Sequence, residues 1–317
     1  MTTKGTGGGG FNASEWIWKD GEWIRWEDSR VHLLSTAVQF GTSMFEGIRC
    51  YETPEGPAIF RLHDHIRRLL DSCRIYRMLP EHDASTWVQA CVDAVARNGL
   101  GSCYVRPMVL RGYFGPSLMP YNSPIESYVA AWAWGTYLGE EALEKGVDVC
   151  VSSWNRAAPN TFPVAAKAAG HYVSAQLIKM EAHENGYAEG IALGPEGRVS
   201  EGSGQNLFLV RDGVLISPEL DGTSLAGITR HSVLALAEEL GIPSREQPVP
   251  RESLYTADEL FFTGTATEVV PIRSVDRIAV GGGKAGPITL AIQERFMDLV
   301  QGRIADPRGW RTLVPTG

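Results

Sequence analysis

The sequence predicts an α+β protein of two domains, and three observations support this fold class. The chain has 317 residues, which at roughly 150 residues per domain corresponds to about two domains. Its hydrophobic fraction of 44% and charged fraction of 21% are typical of a compact globular protein. Predicted strands and helices follow one another without a regular β-α-β alternation, which favours separate α+β domains over one doubly wound sheet.

The first half of the chain is predicted to combine short strands with two helices. Two Trp-rich segments flank Lys19-Asp20-Gly21-Glu22, a pattern typical of a β-hairpin. Apolar residues recur at helical spacing in residues 62–78 and again from Trp87 to Val95, where Asn98-Gly99 is a stop signal. Further strands are predicted at residues 46–53, 58–61, 102–110 and 127–134.

The second half repeats this mixture of elements without repeating the sequence of the first half. Gly186 and Gly241 are predicted to end helices over residues 170–185 and 228–240, and the last helix is predicted at 287–300. Strands are predicted at residues 147–152, 191–193, 207–211, 214–216 and 259–263.

The chain is predicted to divide into a tail, two domains and a connector. Residues 1–14 are expected to form a flexible Gly-rich tail, and residues 15–134 a small domain. Residues 135–146 are expected to connect it to a large domain over residues 147–317. The segment 112–124, rich in Gly, Pro, Asn and Tyr, is long and irregular enough to predict a functional loop.

Charge and cysteine content exclude several classes of protein. The formal net charge is −8 and there is no basic block, so nucleic-acid binding is not expected. No apolar run approaches ~18 residues, so no membrane span is expected, and the N-terminus lacks the apolar core of a signal peptide. The five cysteines are scattered without disulfide or zinc spacing, which predicts a reducing cytoplasm.

Three short motifs fail on inspection. Gly281-Gly282-Gly283-Lys284 is followed by Ala285, so the phosphate-binding Walker pattern is not met. Gly202-Ser203-Gly204 matches neither a dinucleotide fingerprint nor a nucleophile elbow. His63-Asp64-His65 begins a predicted helix, where residues two apart do not share a face, so no metal site is predicted.

Lysine is scarce, and one lysine has unusual surroundings. Only six of the 29 basic residues are lysines, and a lysine, unlike an arginine, can be tuned into a base or nucleophile. Lys167 lies in the window Phe162-Pro163-Val164-Ala165-Ala166-Lys167-Ala168-Ala169-Gly170. Burial there would favour a neutral, nucleophilic amine that can form a Schiff base. The window alone leaves open the alternative of a lysine that extends to the surface.

Longer motifs in the same order along the chain resemble those of one enzyme family. The resemblance covers about residues 16–302 and is to class IV aminotransferases of pyridoxal-phosphate fold type IV, specifically branched-chain amino-acid aminotransferases. It implies a D-amino-acid aminotransferase-like fold with a small N-terminal α/β domain and a large C-terminal domain whose sheet is a pseudo-barrel. Besides the Lys167 window, the matching motifs are residues 40–49 (FGTSMFEGIR), 152–161 (SSWNRAAPNT), 200–208 (SEGSGQNLF), 227–230 (GITR) and 263–267 (TGTAT).

The resemblance implies pyridoxal 5′-phosphate as the cofactor and assigns residues to it. Lys167 would form the Schiff base (the aldimine) and then shuttle the proton, Glu201 would face the ring nitrogen and Tyr172 the phenolic oxygen. Arg68 matches the family's phosphate arginine. Gly227, Ile228 and Thr229 begin a predicted helix whose free N–H groups suit a phosphate, and Thr265 lies in a turn able to complete that site.

The resemblance also implies substrate-binding residues. Tyr104 and Arg106 are two residues apart on a predicted strand and so share a face. In the family the Tyr, with backbone amides near Thr265 and Ala266, binds the α-carboxylate, and the Arg binds the distal carboxylate of glutamate. Phe45, Gly47 and Arg49 alternate on another predicted strand. Further residues assigned to the substrate pocket are Phe40, Phe45, Gly47, Trp134 and Tyr137.

These assignments predict ping-pong transamination between Leu, Ile or Val and 2-oxoglutarate, in a homodimer or a higher homo-oligomer such as a hexamer. The loop 112–124 would reach the partner's site. Three residues depart from the family pattern: Phe40 replaces a common tyrosine, His171 an asparagine and Ala169 a glycine. Because pocket hydroxyls govern discrimination between close analogues, Phe40 leaves open a D-amino-acid or (R)-amine aminotransferase, or an aminodeoxychorismate-type lyase. A non-catalytic relative would have lost Lys167 or Glu201, and both are present.

Overall fold

The computed structural model describes residues 13–135 and 140–315, in which two β-sheets and eight α-helices are arranged as an α+β fold, as predicted. The first sheet is antiparallel, in the order β5-β4-β6-β7-β1-β2, with β3 also paired to β6. These strands are β1 (Trp16–Lys19), β2 (Glu22–Arg25), β3 (Ser43–Phe45), β4 (Ile48–Thr53), β5 (Gly56–Phe60), β6 (Cys103–Arg111) and β7 (Ile125–Ala133).

The second sheet is mixed, with the order β10-β9-β8-β15-β14-β11-β12-β13 and β16 paired to β15. Parallel pairs join β8 to β9, β8 to β15 and β12 to β13. The strands are β8 (Val147–Val151), β9 (Glu189–Leu193), β10 (Val199–Gly202), β11 (Asn206–Arg211), β12 (Val214–Pro218), β13 (Ser244–Gln247), β14 (Glu259–Gly264), β15 (Glu268–Val275) and β16 (Ile278–Ala279).

The chain returns to the first sheet near its end. Strand β17 (Arg311–Leu313) pairs antiparallel with β5, so that Arg311 lies opposite Phe60. The predicted large domain extends to residue 317, yet this strand belongs to the sheet built by residues 16–133. The final segment therefore ties the two sheets together.

Helices cover both sheets and bury the main cores. The helices are α1 (Thr36–Phe40), α2 (Leu62–Ile75), α3 (Ala84–Arg97), α4 (Glu140–Lys145), α5 (Tyr172–Glu184), α6 (Ile228–Glu239), α7 (Ser253–Thr256) and α8 (Pro287–Val300). Trp87, Leu69 and Ile66 are fully buried where α2 and α3 pack on the first sheet. Phe296 and Val233 are buried where α8 and α6 pack on the second sheet.

The structure departs from the predicted strands at two places that involve proline. The strand predicted at residues 46–53 begins at Ile48, and Glu46-Gly47 separate it from β3 opposite Pro107 of β6, with the same register to β6 on both sides. Proline has no N–H to donate to the ladder. Strand β15, which was not predicted, contains Pro271, and its pairing with β8 begins only after this proline, at Ile272.

Helix α8 is fixed to the second sheet by a buried carboxylate. Glu259 of β14 accepts hydrogen bonds from the backbone N–H groups of Ile288 and Thr289, at 3.1 and 2.7 Å, and from the Thr289 hydroxyl at 2.6 Å. The first N–H groups of a helix have no partner within the helix, and a carboxylate also suits the positive end of the helix dipole. Pro287 at the first helical position leaves one fewer N–H to satisfy.

Replacing Glu259 with Ala is expected to lower the free energy of unfolding by about 2–3 kcal/mol, because it leaves buried N–H groups without an acceptor. Urea unfolding of the variant measures this change. Glu294→Ala, on the exposed face of the same helix, is the control and is expected to change stability by less than about 0.5 kcal/mol. Equal effects of the two substitutions would show that Glu259 does not act as the cap.

Candidate active site

A polar cleft lies where α2, the loop before α5, the turn after β10, the start of α6 and the end of β14 meet. It contains about 650 Å³ of empty space, part of which is open to solvent. Among the residues lining it are all the predicted cofactor-binding residues: Arg68, Lys167, Tyr172, Glu201, Gly227, Ile228, Thr229 and Thr265.

Lys167 is held by its backbone, which leaves its amine directed at the cleft. Its N–H donates to the Ser72 hydroxyl at 3.0 Å, and its C=O accepts from the N–H of Phe45 at 3.1 Å. The amine donates to the Tyr172 hydroxyl and lies 4.9 Å from the ring centroids of both Phe45 and Tyr172. The side chain is half-buried against this cleft wall rather than extended into open solvent.

Glu201 is buried on β10 with three partners. Its Oε1 lies 3.1 Å from Nη2 of Arg156, and its Oε2 accepts from Nδ2 of Asn206 at 3.2 Å and from the N–H of Leu225 at 3.3 Å. Burial raises the pKa of Glu201, while Arg156 and the Leu225 N–H act in the opposite direction. A β-bulge between Val199 and Glu201 accompanies this placement of the carboxylate.

Arg156 and Asn206 were not identified as site residues from the sequence, although both line the cleft. Arg156 also donates to the carbonyls of Gly202 and Ser203, at 2.6 and 3.0 Å, so it organises the whole turn after Glu201. Their only signal was membership of the long motifs at residues 152–161 and 200–208. Neither residue type nor local spacing distinguished them from solvated side chains.

Arg68 is oriented by a second buried carboxylate. Glu46, fully buried, accepts from Nε and Nη2 of Arg68 at 2.6 and 2.9 Å, and from Nδ1 of His65 at 2.7 Å. Burial alone would raise the pKa of Glu46, but Arg68 and His65 hold it well below its usual range. Burial lowers the pKa of His65. His65, part of the rejected His63-Asp64-His65 motif, therefore serves as a donor to Glu46.

The start of α6 and the turn between β14 and β15 form the far wall. Gly227 caps the helix, and a side chain there would collide with Oδ1 of Asn206. Thr229 is buried and Thr265 half-buried. The hydroxyl of Thr263 is buried beside them without a hydrogen-bond partner among the described residues, as is Nε of Arg156. Buried polar atoms of this kind are expected where a polar ligand binds.

The predicted substrate residues adjoin the cleft through Phe45. The Arg106 guanidinium carbon lies 4.8 Å from the Phe45 ring centroid and 5.5 Å from that of Tyr104, so Tyr104 and Arg106 do share a face. The ring centroids of Trp134 and Tyr104 are 5.4 Å apart. A side chain at Gly47 would collide with the Tyr104 hydroxyl, which explains the glycine.

Arg106 has no acidic partner within residues 13–135 and 140–315, and its Nε is buried without a hydrogen bond. Arg49, Arg68 and Arg156, by contrast, are each paired with a carboxylate. An arginine without one is typical of a site that binds an anionic ligand.

Three predicted substrate residues stand apart from this arrangement. Phe40 ends α1 and is 46% exposed, outside the cleft lining of the single chain. Ala266 lies in the turn after Thr265, half-buried and beside the cleft rather than in its lining. Tyr137 lies outside the described residues.

Comparison with known proteins agrees with the geometry of the cleft. The model of the family described as amino-transferase class IV matches residues 43–275. The branched-chain-amino-acid aminotransferase of Escherichia coli K12 is 50% identical over 317 residues, covering 99% of both chains. The chain belongs to the class IV aminotransferase family.

Solved structures of class IV aminotransferases have the same fold. The E. coli branched-chain amino acid aminotransferase superposes with a TM-score of 0.93 at 50% identity, over 95% of this chain and 100% of that one. The branched-chain amino acid aminotransferase of Thermobaculum terrenum, in its PLP-form, superposes with a TM-score of 0.89 at 35% identity, over 96% of this chain and 99% of that one. The fold class predicted from the sequence is thereby confirmed. No helix of the described part of this class IV aminotransferase has the length and apolar character of a membrane span.

Replacing Glu46 with Gln tests how much the buried contacts of Glu46 with Arg68 and His65 stabilise this class IV aminotransferase. Because the folded-state pKa of Glu46 is below its ordinary value of 4.5, its stabilisation is present above that pH and is lost as the pH falls toward the folded pKa. The variant is therefore expected to be less stable by about 3 kcal/mol near pH 7, with a difference that shrinks on acidification.

Urea unfolding of both proteins between about pH 7 and pH 3 measures this difference. Glu55→Gln, at an exposed turn, is the control and should follow the original protein throughout. A difference that stays constant with pH would contradict a stabilising charge on Glu46.

Proposed function

We propose that this protein is a pyridoxal 5′-phosphate-dependent branched-chain amino-acid aminotransferase, which exchanges amino groups between Leu, Ile or Val and 2-oxoglutarate. The observation that carries the proposal is one cleft with a lysine amine on one wall and a buried, arginine-paired glutamate on another. Full-length identity of 50% to a branched-chain-amino-acid aminotransferase supports the substrate class.

The residues of the cleft fit this cofactor. A carbonyl needs an amine, supplied by Lys167, and a ring nitrogen needs a carboxylate, supplied by Glu201. A phosphate needs N–H groups and a cation, which Gly227, Ile228, Thr229, Thr265 and Arg68 would provide. Thr263, whose hydroxyl has no hydrogen-bond partner in the part of the chain that the structure describes, lines the same space. When bound, pyridoxal phosphate supplies an electron sink that stabilises negative charge developing at the substrate Cα.

Lys167 has two tasks in this mechanism, covalent attachment of the cofactor and proton transfer. Its amine, when free, would accept the proton from the substrate Cα and deliver it to the cofactor carbon C4′. The Tyr172 hydroxyl holds the amine at this place, and Phe45 packs against both groups. The backbone bonds of Lys167 to Ser72 and Phe45 keep the amine within reach through both half-reactions.

Glu201 acts by remaining charged. Desolvation favours its neutral form, and Arg156, with the Leu225 N–H, favours the carboxylate. Nδ2 of Asn206 donates to the same oxygen as Leu225. We assign to Arg156 and Asn206 the task of keeping Glu201 ionised, so that a proton on the cofactor's ring nitrogen finds a counter-charge.

The substrate side explains how one site would accept two kinds of amino acid. Phe45 and Trp134 offer apolar walls to branched side chains, while Arg106, which lacks an acidic partner among the described residues, suits the distal carboxylate of glutamate. Tyr104, with the backbone amides near Thr265 and Ala266, would bind the α-carboxylate. Phe40, Gly47 and Tyr137 complete this proposed pocket. Two substrates in turn at one site give ping-pong kinetics.

We also propose a homodimer as the minimal assembly. Leu33 and Leu118, in the segments around α1 and in the loop 112–124, are 76% and 79% exposed, and Phe40 and Phe114 beside them are also exposed. Exposed apolar groups of this extent are typical of protein interfaces. A second copy covering them would place the loop 112–124 near the partner's site, and Phe40 with it. A hexamer of three such dimers is a further arrangement.

Cellular location and domain boundaries follow as related proposals. All five cysteines are free and buried, which suits the reducing cytoplasm. We propose that residues 15–134 and 147–317 form the two domains and 135–146 their connector. The two sheets support this division, with β17 crossing back to the first.

Half-reactions with single amino donors test the function. Mixing the cofactor-loaded protein with L-Leu is expected to remove the cofactor's visible absorbance, while D-Ala and (R)-1-phenylethylamine leave it unchanged. Lys167→Ala should abolish the reaction and the covalent adduct formed by borohydride. Lys145→Ala, an exposed lysine on α4, is the control and should keep both. Reaction with D-Ala or the (R)-amine in place of L-Leu would reject the branched-chain assignment.

Replacing Arg106 with Leu tests the proposed recognition of the distal carboxylate. Since a charge-assisted pair to a carboxylate would be lost, we expect the KM for 2-oxoglutarate to rise about tenfold or more, and that for L-Leu to change less than about threefold. Steady-state kinetics with each substrate varied in turn measures the two KM values. Arg67→Leu, at an exposed arginine of α2, should change neither. Equal rises for both substrates would place Arg106 at the shared α-carboxylate instead.

A further inference from the structure

Two walls of the proposed substrate pocket are joined behind the cleft by a buried ion pair. Nη1 of Arg49, on β4, donates to the Gly135 carbonyl at 2.7 Å, next to Trp134. Nη2 of the same arginine lies 3.7 Å from Oε1 of Glu268, the first residue of β15. Arg49 and Glu268 are only 5% and 3% exposed. One side chain of the first sheet thus contacts both the interdomain segment and the second sheet.

Tyr51 adds a second connection from the first sheet. Its hydroxyl donates to Oε1 of Glu268 at 3.0 Å, so the carboxylate has two partners from β4. Burial raises the pKa of Glu268, and Arg49 and Tyr51 oppose this rise. A buried guanidinium and a buried carboxylate each depend on the other for compensation, so loss of either charge leaves the other unpaired.

The backbone of Glu268 is in a conformation that its residue type disfavours. Its φ is +61°, in the left-handed region normally occupied by glycine. It directly follows the turn of residues 265–267, and its strand partner across that turn is Gly264. A non-glycine residue stays in this conformation when the surrounding contacts hold it there. Besides the strand pairing with Gly264, Glu268 is held by the contacts of its carboxylate with Arg49 and Tyr51.

We propose that Arg49 and Glu268 are positioning residues that set the turn 265–267 against the segment ending at Gly135, and thereby determine how tightly the site binds the substrate carboxylate and the cofactor phosphate. This inference rests on the proposed function, which assigns both anions to that turn. Neither residue contacts the reacting atoms. Their effect is on binding, through the two walls that they hold.

Three substitutions distinguish the contribution of the Glu268 side chain from that of its backbone conformation. Glu268→Gln keeps the size and removes the charge, Glu268→Gly relieves the backbone and removes the carboxylate, and Tyr51→Phe removes one hydrogen bond. Arg277→Gly is the matched control, because Arg277 also has a positive φ, +68°, but lies in an exposed hairpin away from the cleft. Tyr51→Phe is the mildest change and keeps the test valid if a Glu268 variant does not fold.

The measurements are KM and kcat for L-Leu and 2-oxoglutarate, the affinity of the apoprotein for pyridoxal phosphate, the Tm, and hydrogen–deuterium exchange of a peptide covering residues 264–268. Both Glu268 variants are expected to exchange faster in this peptide, to raise KM and the cofactor Kd about tenfold or more, and to change kcat less. Tyr51→Phe should do the same by a few-fold, and Arg277→Gly should change none of these quantities.

Two results would overturn the proposal. Glu268→Gly with an unchanged KM would show that the side chain is not needed, and a lower Tm with unchanged KM, cofactor Kd and exchange would show a purely structural role. Failure of the proposed function is recognised separately, because the unsubstituted protein would then not react with L-Leu at all. The exchange measurement remains decisive in that case, since it does not depend on any activity.

Discussion

Charge compensation at three buried carboxylates is the constraint on which the cleft depends. Glu46 is paired with Arg68, Glu201 with Arg156, and Glu268 with Arg49. A charged group removed from water is costly unless it is paired and hydrogen-bonded, so each carboxylate fixes the position of its arginine. Because the partners come from different elements, these pairs also fix the relative positions of the elements that form the cleft.

Arg68 and Arg106 differ in whether a carboxylate of the described chain already neutralises their charge. Arg68 uses Nε and Nη2 on Glu46 and Nη1 on the Ala226 carbonyl, just before the start of α6, so the guanidinium is held at the proposed phosphate site before any ligand arrives. Arg106, by contrast, has aromatic rings around it and no acidic partner in the described chain. Arg68 is thus preorganised for the proposed phosphate, whereas Arg106 has a charge that an anionic ligand could neutralise.

Steric constraints act together with these charges. Gly47 leaves room for the Tyr104 hydroxyl, and Gly227 leaves room for Asn206 beside Glu201. Both glycines matter for close approach rather than for an unusual backbone, since Gly227 has a φ of −68°. At Glu268 the reverse holds, because the backbone conformation suits glycine while the side chain is needed elsewhere. Function and local preference conflict there, as is common at binding sites.

The sequence by itself was sufficient for the α+β class, for most of the helices and for the identity of the proposed cofactor residues. Helices α6 and α8 were predicted within one residue, because their apolar periodicity and their terminal signals are local properties of the chain. Lys167 and Glu201 could be assigned because they lie in long motifs. Strand β15 and the return of β17 could not, because strand pairing depends on residues far apart in the chain.

Only the tertiary structure decided which charges meet. Glu46 and Arg68 are 22 residues apart, and Arg49 and Glu268 are 219 apart by their numbering, so no local pattern marks either pair. The same limit hid Arg156, Asn206 and His65, each of which looks solvated in its own segment. Residue type and periodicity determine which elements form, since these are interactions over a few residues. The partner of a buried charge is determined by folding, because desolvation makes pairing compulsory only once the elements have packed.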